Sequence, residues 1–526
     1  MGSTRRFAAS CKEYSEPDMP LTTTLEAPIE PVVGGSVAPN EPCTVRDPCD
    51  TTDTDWKTWF PGGVDGVAQG GNEVVGYING AKLFTDMAAA IRTAKKKTHF
   101  VLVAGWSSDM SLKLVANDDA TTLPKLLEEA AGHGATIRGL YYQHSGEAFG
   151  GAFTNGPIVA AIDSLPTGAA IHDSRHLTFG AHHHKLLIVS GEFGLIAFVG
   201  GNDIIADRLA IHDTHVRVRG PAAVGLYNVF RERWAEHPES KGTAAIPSPL
   251  PSNDVPNTNH FVQVGRTYPN GSAHAGIEQT AAGAPKGYAF APKGEREVEA
   301  MTVHAIARAK KFIYLEEQYL VSDAISLALE KAIPKLSMLV ILLCDTDFVN
   351  GELVAKKDTF PISKGDSVAY YYQKRRDFLD RLYVAGPSKV HVFERMPDWM
   401  HSKAWVFDDK FAIIGSANVN RRGYTHDSEV QCGIFDVKAD KKSRWYWAHE
   451  LRMNLWAKHL GVTPISCRDP IVSLPFWTAT TTASTRTVRA YARNRDNGAT
   501  YSGLVRDSKA IYRDLAWNKI VDPDGG

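Results

Sequence analysis

Cysteine is scarce in this 526-residue chain: there are six, and none falls in a CxxC pair. That spacing argues against a zinc site built on thiolates. Cys344 and Cys432 sit in apolar runs and are expected as buried thiols, while Cys43 and Cys49 are compatible with a small loop disulfide or with two free thiols. Long apolar runs are missing as well. A membrane span needs ~18 residues, whereas a run such as MLVILLC (Met338–Cys344) has the length of a strand. Charge of one sign is also lacking: the formal net charge is -1, and no long Lys/Arg run occurs. General nucleic-acid binders carry a basic field, so no nucleic-acid partner is expected. At the N-terminus, Arg6 stands where a myristoylation signal requires Ser or Thr. The Arg5–Arg6 pair is followed by CKEYSEPDMP rather than by an apolar export core. The expectation is a soluble protein, cytoplasmic or peripheral to a membrane, with export by a non-classical route left open, and a monomer.

The chain has ample apolar content, 43% of its residues, enough for a large core. Residues 1–52 are rich in Pro, Thr, Glu and Ser and are expected to form a disordered arm. Order is expected to begin where Trp56, Trp59 and Phe60 can dock on a core. Two stretches then repeat a pattern. AIRTAKKKTHFVLVAGW (Ala90–Trp106) parallels AIARAKKFIYLEEQYL (Ala305–Leu320), each reading as a helix that ends in lysines followed by a buried strand. A second helix–strand pair follows each. The expected organisation is a first half at 53–236, a Pro/Ser/Gly-rich linker with one strand at 237–292, a second half at 293–470 and a C-terminal extension at 471–526 with a helix near Ser508–Trp517. The helix within HELRMNLWAKHLGV reads as amphipathic. Helices alternating with buried strands imply an α/β fold of two pseudo-symmetric α/β/α halves, each a mixed sheet flanked by helices.

Each half then carries a His-x-Lys pair: His183 and Lys185 in HHHKLLIVSGEFGLIAFVGGND, His401 and Lys403 in MHSKAWVFDDKFAIIGSANVN. Residues two apart on a strand share a face. Such a pair suits a phosphoryl group: Lys offers a permanent cation, and His a nucleophile or proton donor near neutral pH. One pair is commonplace; two at matching places in a repeat are not. His182 and His184 also share a face, but with no third ligand nearby in sequence a metal is the weaker reading, and no cofactor is expected.

His-x-Lys-x4-Asp followed by an apolar strand and Gly-Gly or Gly-Ser resembles the signature of the phospholipase D superfamily. The second copy matches through His401, Lys403, Asp408, Gly415, Ser416 and Asn418; the first through His183, Lys185, Gly200, Gly201 and Asp203. IYLEEQYL, FVQVGRTYP, HDTHVRVRGPAA and LRMNLWAKHLG resemble further segments, so the likeness runs from about Trp56 to Gly461. In the first copy Ser190 replaces the motif Asp. An odd offset from the His–Lys face suggests that a residue there braces the backbone. The resemblance implies an active site between the halves. It makes His183, Lys185, His401, Lys403 and Asp408 catalytic, with Asp213 and Glu429 as acidic orienters of the histidines. Asp203, Ser416 and Asn418 would contact the substrate. Asp427 competes with Glu429 for the orienting role, and Trp106, Arg266, Gln318 and Tyr319 are candidates for lining the cleft or for structural roles. The implied activity is hydrolysis of phosphatidylcholine or phosphatidylethanolamine at a membrane surface to phosphatidic acid, with some transfer to alcohols. His183 would attack phosphorus and His401 would protonate the leaving alcohol. The competing readings are a phosphatidyltransferase of the cardiolipin synthase kind, a nuclease or other phosphodiesterase, and a lipid-binding scaffold without activity.

Overall fold

A computed structural model describes residues 54–62, 69–143, 155–177, 180–251, 260–272, 287–344, 364–396, 400–436, 446–478, 487–491 and 522. The expected arm, the Cys43–Cys49 pair and the helix near Ser508–Trp517 lie outside the described residues. The strands begin with β1 (Gln69–Ile78), β2 (Phe100–Gly105), β3 (Thr136–Tyr142), β4 (Gly168–Asp173), β5 (Leu186–Gly191), β6 (Gly194–Gly200) and β7 (Thr214–Arg219). They continue with β8 (His260–Tyr268), β9 (Glu295–Arg296), β10 (Phe312–Glu317), β11 (Met338–Cys344) and β12 (Val390–Arg395). β13 (Ala404–Phe407), β14 (Phe411–Gly415), β15 (Glu429–Asp436) and β16 (Val488–Ala490) complete the set. Among the described residues all sixteen join one sheet.

The strand order shows an internal two-fold. From one end the sheet runs β4-β3-β2-β5-β6-β7-β1; from the other, inside β16, it runs β12-β11-β10-β13-β14-β15-β8. The two sequences correspond strand for strand and meet at the antiparallel β1–β8 pair. In each half the outer three strands are parallel and the others antiparallel. Both faces are covered, so β2 carries no polar side chain and β10 is apolar over its first four residues before Glu316 and Glu317. Phe100, Leu102 and Ala104 point into a core shared by both halves, as do Phe312 and Tyr314, under α5 (Pro221–Glu236) and the helix Trp447–Leu460. The alternate residues Val101 and Val103 face α1 (Gly80–Ile91), α2 (Leu123–Gly132) and α3 (Gly156–Asp163). Ile313 and Leu315 likewise face α6 (Glu297–Arg308) and α7 (Asp323–Ala332).

Local readings hold with three corrections. Trp59 and Phe60 are buried against Phe411, and Trp56 stacks on Phe261 with ring centroids 3.8 Å apart. The lysines expected to end the helices fall outside them: α1 stops at Ile91 and α6 at Arg308, so Lys95–Lys97 and Lys310–Lys311 occupy the turns into the strands. The helix Trp447–Leu460 is not amphipathic. Residues around its whole circumference are buried, from Trp447 and Arg452 to Trp456 and His459, and Gly461 closes it in the left-handed region at φ 67°. The third correction concerns Asp408. It sits at the β13–β14 turn, where Asp408 and Asp409 both have positive φ, 54° and 59°. Asp tolerates that region, which a type I′ turn requires at both central residues. The Asp408 carboxylate accepts the N–H groups of Lys310, Lys311 and Phe312 at 2.8, 2.7 and 2.9 Å. It is a backbone brace, not a catalytic residue.

Ser190 occupies the corresponding place on β5, opposite Phe100. Its fully buried hydroxyl accepts one N–H, from Leu250 at 3.0 Å. The two braces therefore differ in how many donors they satisfy. Leaving a buried donor unpaired costs more than the net worth of the bond it made. Asp408→Ala is expected to lower unfolding free energy by about 2–4 kcal/mol and Ser190→Ala by about 1 kcal/mol. Urea denaturation of the two variants checks the ranking, and equal losses would contradict the brace assignment.

Candidate active site

His183 and Lys185 lie in an extended stretch just ahead of β5, and His401 and Lys403 in the matching stretch ahead of β13. The pairs thus precede their strands instead of lying on them. Each stretch is pinned to the other half. The His183 N–H donates to Ser428 O at 3.0 Å, and the Ser428 N–H returns to Ala181 O at 2.9 Å. The His401 N–H donates to His212 O at 2.8 Å. Ser428 and His212 immediately precede Glu429 and Asp213, at the entries to β15 and β7. The side chains follow the backbone. His183 Nδ1 lies 2.9 and 3.0 Å from the two Glu429 oxygens, and His401 Nδ1 lies 2.8 Å from Asp213 Oδ2.

The histidine–acid pairs are therefore crossed: each half supplies the carboxylate for the other half's imidazole. Sequence reasoning sorted the acids by half and missed this, because periodicity carries no information about contacts across a two-fold. Asp427 orients neither histidine. It binds Arg422 at 2.7 and 3.0 Å and accepts the Ala181 N–H at 2.9 Å, which steadies the approach to His183.

The lysines are buried and unequal in their partners. Lys185 Nζ lies 3.2 Å from Asp203 Oδ2 and 3.2 Å from His183 O. Asp203 Oδ1 in turn accepts the N–H groups of Trp106 and Ser107 at 2.9 and 3.2 Å. Asp203 thus serves as counter-ion and anchor, not as the substrate contact expected of it. Lys403 donates to His401 O and, at 3.4 Å, to Gln318 Oε1, both uncharged. Asn418 is the open group here: its buried Oδ1 has no protein partner. Ser416, expected at substrate oxygens, is committed elsewhere. Its hydroxyl donates to Glu429 Oε2 and accepts the Val430 N–H at 3.0 Å. The equivalent position is Gly201, where a Cβ would lie 2.1 Å from Asp213 Oδ1, so only glycine admits that carboxylate.

Among the cleft candidates, Gln318 reaches Lys403, while Trp106 is half-buried and stacks on Tyr142. Tyr319 is half-buried next to Gln318. Arg266 is structural, gripping Glu297 on α6 and Glu232 on α5. Arg208, in the short helix α4 (Asp207–Ala210), was not anticipated; its Nη2 lies 3.4 Å from His401 Nε2. The sequence signal was its place just beyond the Gly-Gly-Asn-Asp turn. His182 and His184 do share a face, with rings 4.8 Å apart. A closer histidine–acid grouping joins His212, Glu316 and His459, both imidazoles lying 2.8 Å from the carboxylate. Tyr314 and Arg395 complete its hydrogen bonds, and it fixes the segment whose carbonyl holds His401.

Burial sets the protonation states. It pushes His183 well below the ordinary histidine value, with Lys185 and Lys403 adding to the effect. It does the same for His401, helped by Arg208, Lys403 and Lys185. Burial also pushes Glu429 well up and Asp213 up to about 7, the latter against the pull of Lys403 and Arg208. Lys403 is brought down to about 8 by burial despite Asp213 and Glu317. With Nδ1–H held by a carboxyl group, each Nε2 keeps its lone pair for chemistry. Two imidazoles so poised beside two buried ammonium groups can attack a phosphorus centre, hold its oxygens and shuttle a proton.

Two family models match the chain: "Phospholipase D" over residues 205–342 and "Cardiolipin synthase, PLD-like domain" over residues 302–448. The chain is 22% identical to phospholipase D alpha 1 of Arabidopsis thaliana over 74% of its own length, and spans 65% of that relative. It is 24% identical to a cardiolipin synthase of Listeria welshimeri over 70% of its length and 67% of that relative. Among solved structures it is similar to phosphatidylserine synthase of Haemophilus influenzae Rd KW20, with 14% identity and a TM-score of 0.48, covering 74% of this chain and 86% of that one.

The buried imidazoles make stability depend on pH. Burial lowers His182, His183, His184, His212, His215, His401 and His459, His215 to about 3. Below about 6.5 the unfolded chain binds protons that the native state refuses, so stability falls as pH falls. Asp213, Glu317 and Glu429 carry the opposite sign, but they are fewer. Each imidazole kept neutral contributes roughly 1.4 kcal/mol of slope per pH unit. His215 pairs with Gly200 where Gln431 pairs with Gly415, so glutamine fits the site. His215→Gln is expected to flatten the fall in urea stability between pH 6 and 4 by roughly that amount. An unchanged slope would mean that His215 does not titrate with unfolding.

Proposed function

Because the chain belongs to the phospholipase D superfamily, we propose that it cleaves the distal phosphodiester bond of glycerophospholipids such as phosphatidylcholine and phosphatidylethanolamine, releasing phosphatidic acid at a membrane surface. The observation that carries this reading is the crossed pair of imidazole–carboxyl hydrogen bonds, Glu429 on His183 and Asp213 on His401, beside Lys185 and Lys403.

The chemistry proceeds in two displacements. The His183 Nε2 lone pair attacks phosphorus while the bond to the headgroup oxygen breaks. That oxygen takes the proton from His401 Nε2, which leaves a phosphohistidine and a free alcohol. His401, now neutral, accepts a proton from water; the water oxygen attacks phosphorus, the P–N bond breaks and His183 is restored. Lys185 and Lys403, with Asn418, hold the nonbridging oxygens as charge builds. An incoming phosphodiester brings the negative charge that both histidines lack, which favours protonation of His401 as substrate binds. The assignment of nucleophile and acid follows the family resemblance. A second alcohol can replace water in the second step. The match to the cardiolipin synthase model favours such transfer as the second reading.

The test is incubation with mixed phospholipid vesicles, a trace of ethanol and EDTA, with products read by mass spectrometry. Phosphatidic acid and phosphatidylethanol are expected from the intact chain and neither from His401→Ala. Lipid inert under these conditions, with cleavage of single-stranded DNA or soluble diesters instead, would overturn the lipid reading. Asp213→Asn and Glu429→Gln are each expected to lower kcat by about 10²–10⁴-fold, since each removes the group that orients a catalytic imidazole. If only one of the two changes kcat, the crossed pairs do not act as equals.

A further inference from the structure

The cleft holds a cation that the paired motifs do not account for. Arg208 approaches His401 at Nε2, the reacting nitrogen left free once Asp213 takes Nδ1, with Nη2 at 3.4 Å. A guanidinium only donates, so this contact requires the Nε2 lone pair. Among the described residues no carboxylate lies at ion-pair distance from Arg208, and its buried Nε has no partner. The second half has a matching short helix, Arg421–Thr425, just beyond Asn418. There Arg422 is spent on Asp427 through two hydrogen bonds at 2.7 and 3.0 Å. Both halves therefore carry an arginine-bearing helix just beyond the Gly-Gly or Gly-Ser turn, and of Arg208 and Arg422 only Arg422 is bound to a carboxylate.

We propose that Arg208 is a third cation of the phosphate site and a catalytic residue on the leaving-group side, binding a phosphoryl or leaving-group oxygen and making His401 a stronger acid. This rests on the phosphodiesterase reading above. In this structure the guanidinium rests on His401 Nε2. When a phosphodiester enters, its oxygens are the better acceptor, and a charge-assisted bond to them frees Nε2 to take up a proton. As the P–O bond breaks, that proton moves to the leaving oxygen while the guanidinium offsets the charge developing there. The groups facing His401 are Asp213 at the entry to β7, Arg208 on α4, Lys403 beside it, and Lys185 and His183 ahead of β5. Asp213 is the one anionic group of these, so removing Arg208 leaves the imidazole with less opposition to protonation.

The test uses the full chain with Arg208→Gln and Arg208→Lys. Without substrate, the His401 ring is titrated by NMR. Its pKa is expected to rise by about one unit or more in R208Q and to rise less in R208K, as loss of a nearby like charge requires. Inorganic phosphate, probing the oxygen contact, should bind R208Q several-fold more weakly than the unaltered chain. On vesicles, R208Q should lower kcat by about 10–100-fold, with a smaller change in KM and the alkaline limb of the pH profile moved upward. An unmoved His401 titration overturns the acid-tuning role, and unchanged phosphate affinity overturns the oxygen contact. If the unaltered chain and His401→Ala are equally inert on every diester, the phosphodiesterase reading fails. The titration and the phosphate binding then still decide the assignment of Arg208.

Discussion

The active site depends on one constraint: neither half can orient its own histidine. His183 is held by Glu429 and His401 by Asp213, and the backbone bonds to Ser428 and His212 set the same crossing before any side chain is placed. Both crossings require the halves to meet in a fixed register, which the continuous sheet through β1 and β8 provides. A loose association of two domains would not hold imidazole and carboxyl groups within 3 Å of each other at two places at once. The core shared under α5 and the helix Trp447–Leu460 extends beneath both halves and resists such loosening. That helix is buried nearly all round because it packs on β13 and β15 on one side and is covered on the other by the segment that follows it, where His449 and Arg452 bind the carbonyls of Arg468 and Cys467 and Trp456 meets Trp477.

A second consequence is electrostatic. Burying an ammonium group costs several kcal/mol unless a partner offsets it, and this cleft buries two. Asp203 offsets Lys185, whereas the carboxyl groups acting on Lys403, Asp213 and Glu317, are themselves pushed up by burial to about 7. Near neutral pH they are only partly ionised. The imidazoles respond in the opposite direction and stay neutral. Lys403 is therefore the less compensated of the two ammonium groups. On the proposed reading the phosphodiester brings further negative charge, so affinity and protonation of His401 are coupled.

Much of this was legible in the sequence, and the limits have physical causes. The alternation of His-x-Lys, the buried strands and the repeat all follow from local periodicity, and they led to the sheet and the four central residues. Offset parity also signalled that the position held by Asp408 and Ser190 turns away from the site, although the motif itself suggested catalysis. What stayed hidden depends on through-space partners. Ser416 looked like a phosphate ligand until Glu429 proved to occupy its hydroxyl. Asp203 looked like a substrate contact until Lys185 and two backbone N–H groups claimed it. Arg208 carries no motif, and only its distance from His401 marks it.

The repeat has diverged where charge is placed, not where backbone is placed. Strand order, pinning bonds and acid placement are kept, while Asp203 corresponds to Asn418 and Gly201 to Ser416, and the short helices that follow place their arginines one position apart, Arg208 near His401 and Arg422 on Asp427. Asp203 neutralises Lys185 in the first half; its counterpart Asn418 brings Lys403 no charge. Arg208 adds a further cation near His401, whereas Arg422 is cancelled by Asp427 near His183. Both differences displace uncompensated positive charge toward His401. A symmetric pair of histidines would have no reason to divide attack from proton donation. Lys185 and Lys403 act on both imidazoles, and Arg208 is the strongest of the charges acting on His401, so that imidazole gives up its proton more readily, which suits the acid. That asymmetry runs in the direction of the division of labour that the family resemblance implies.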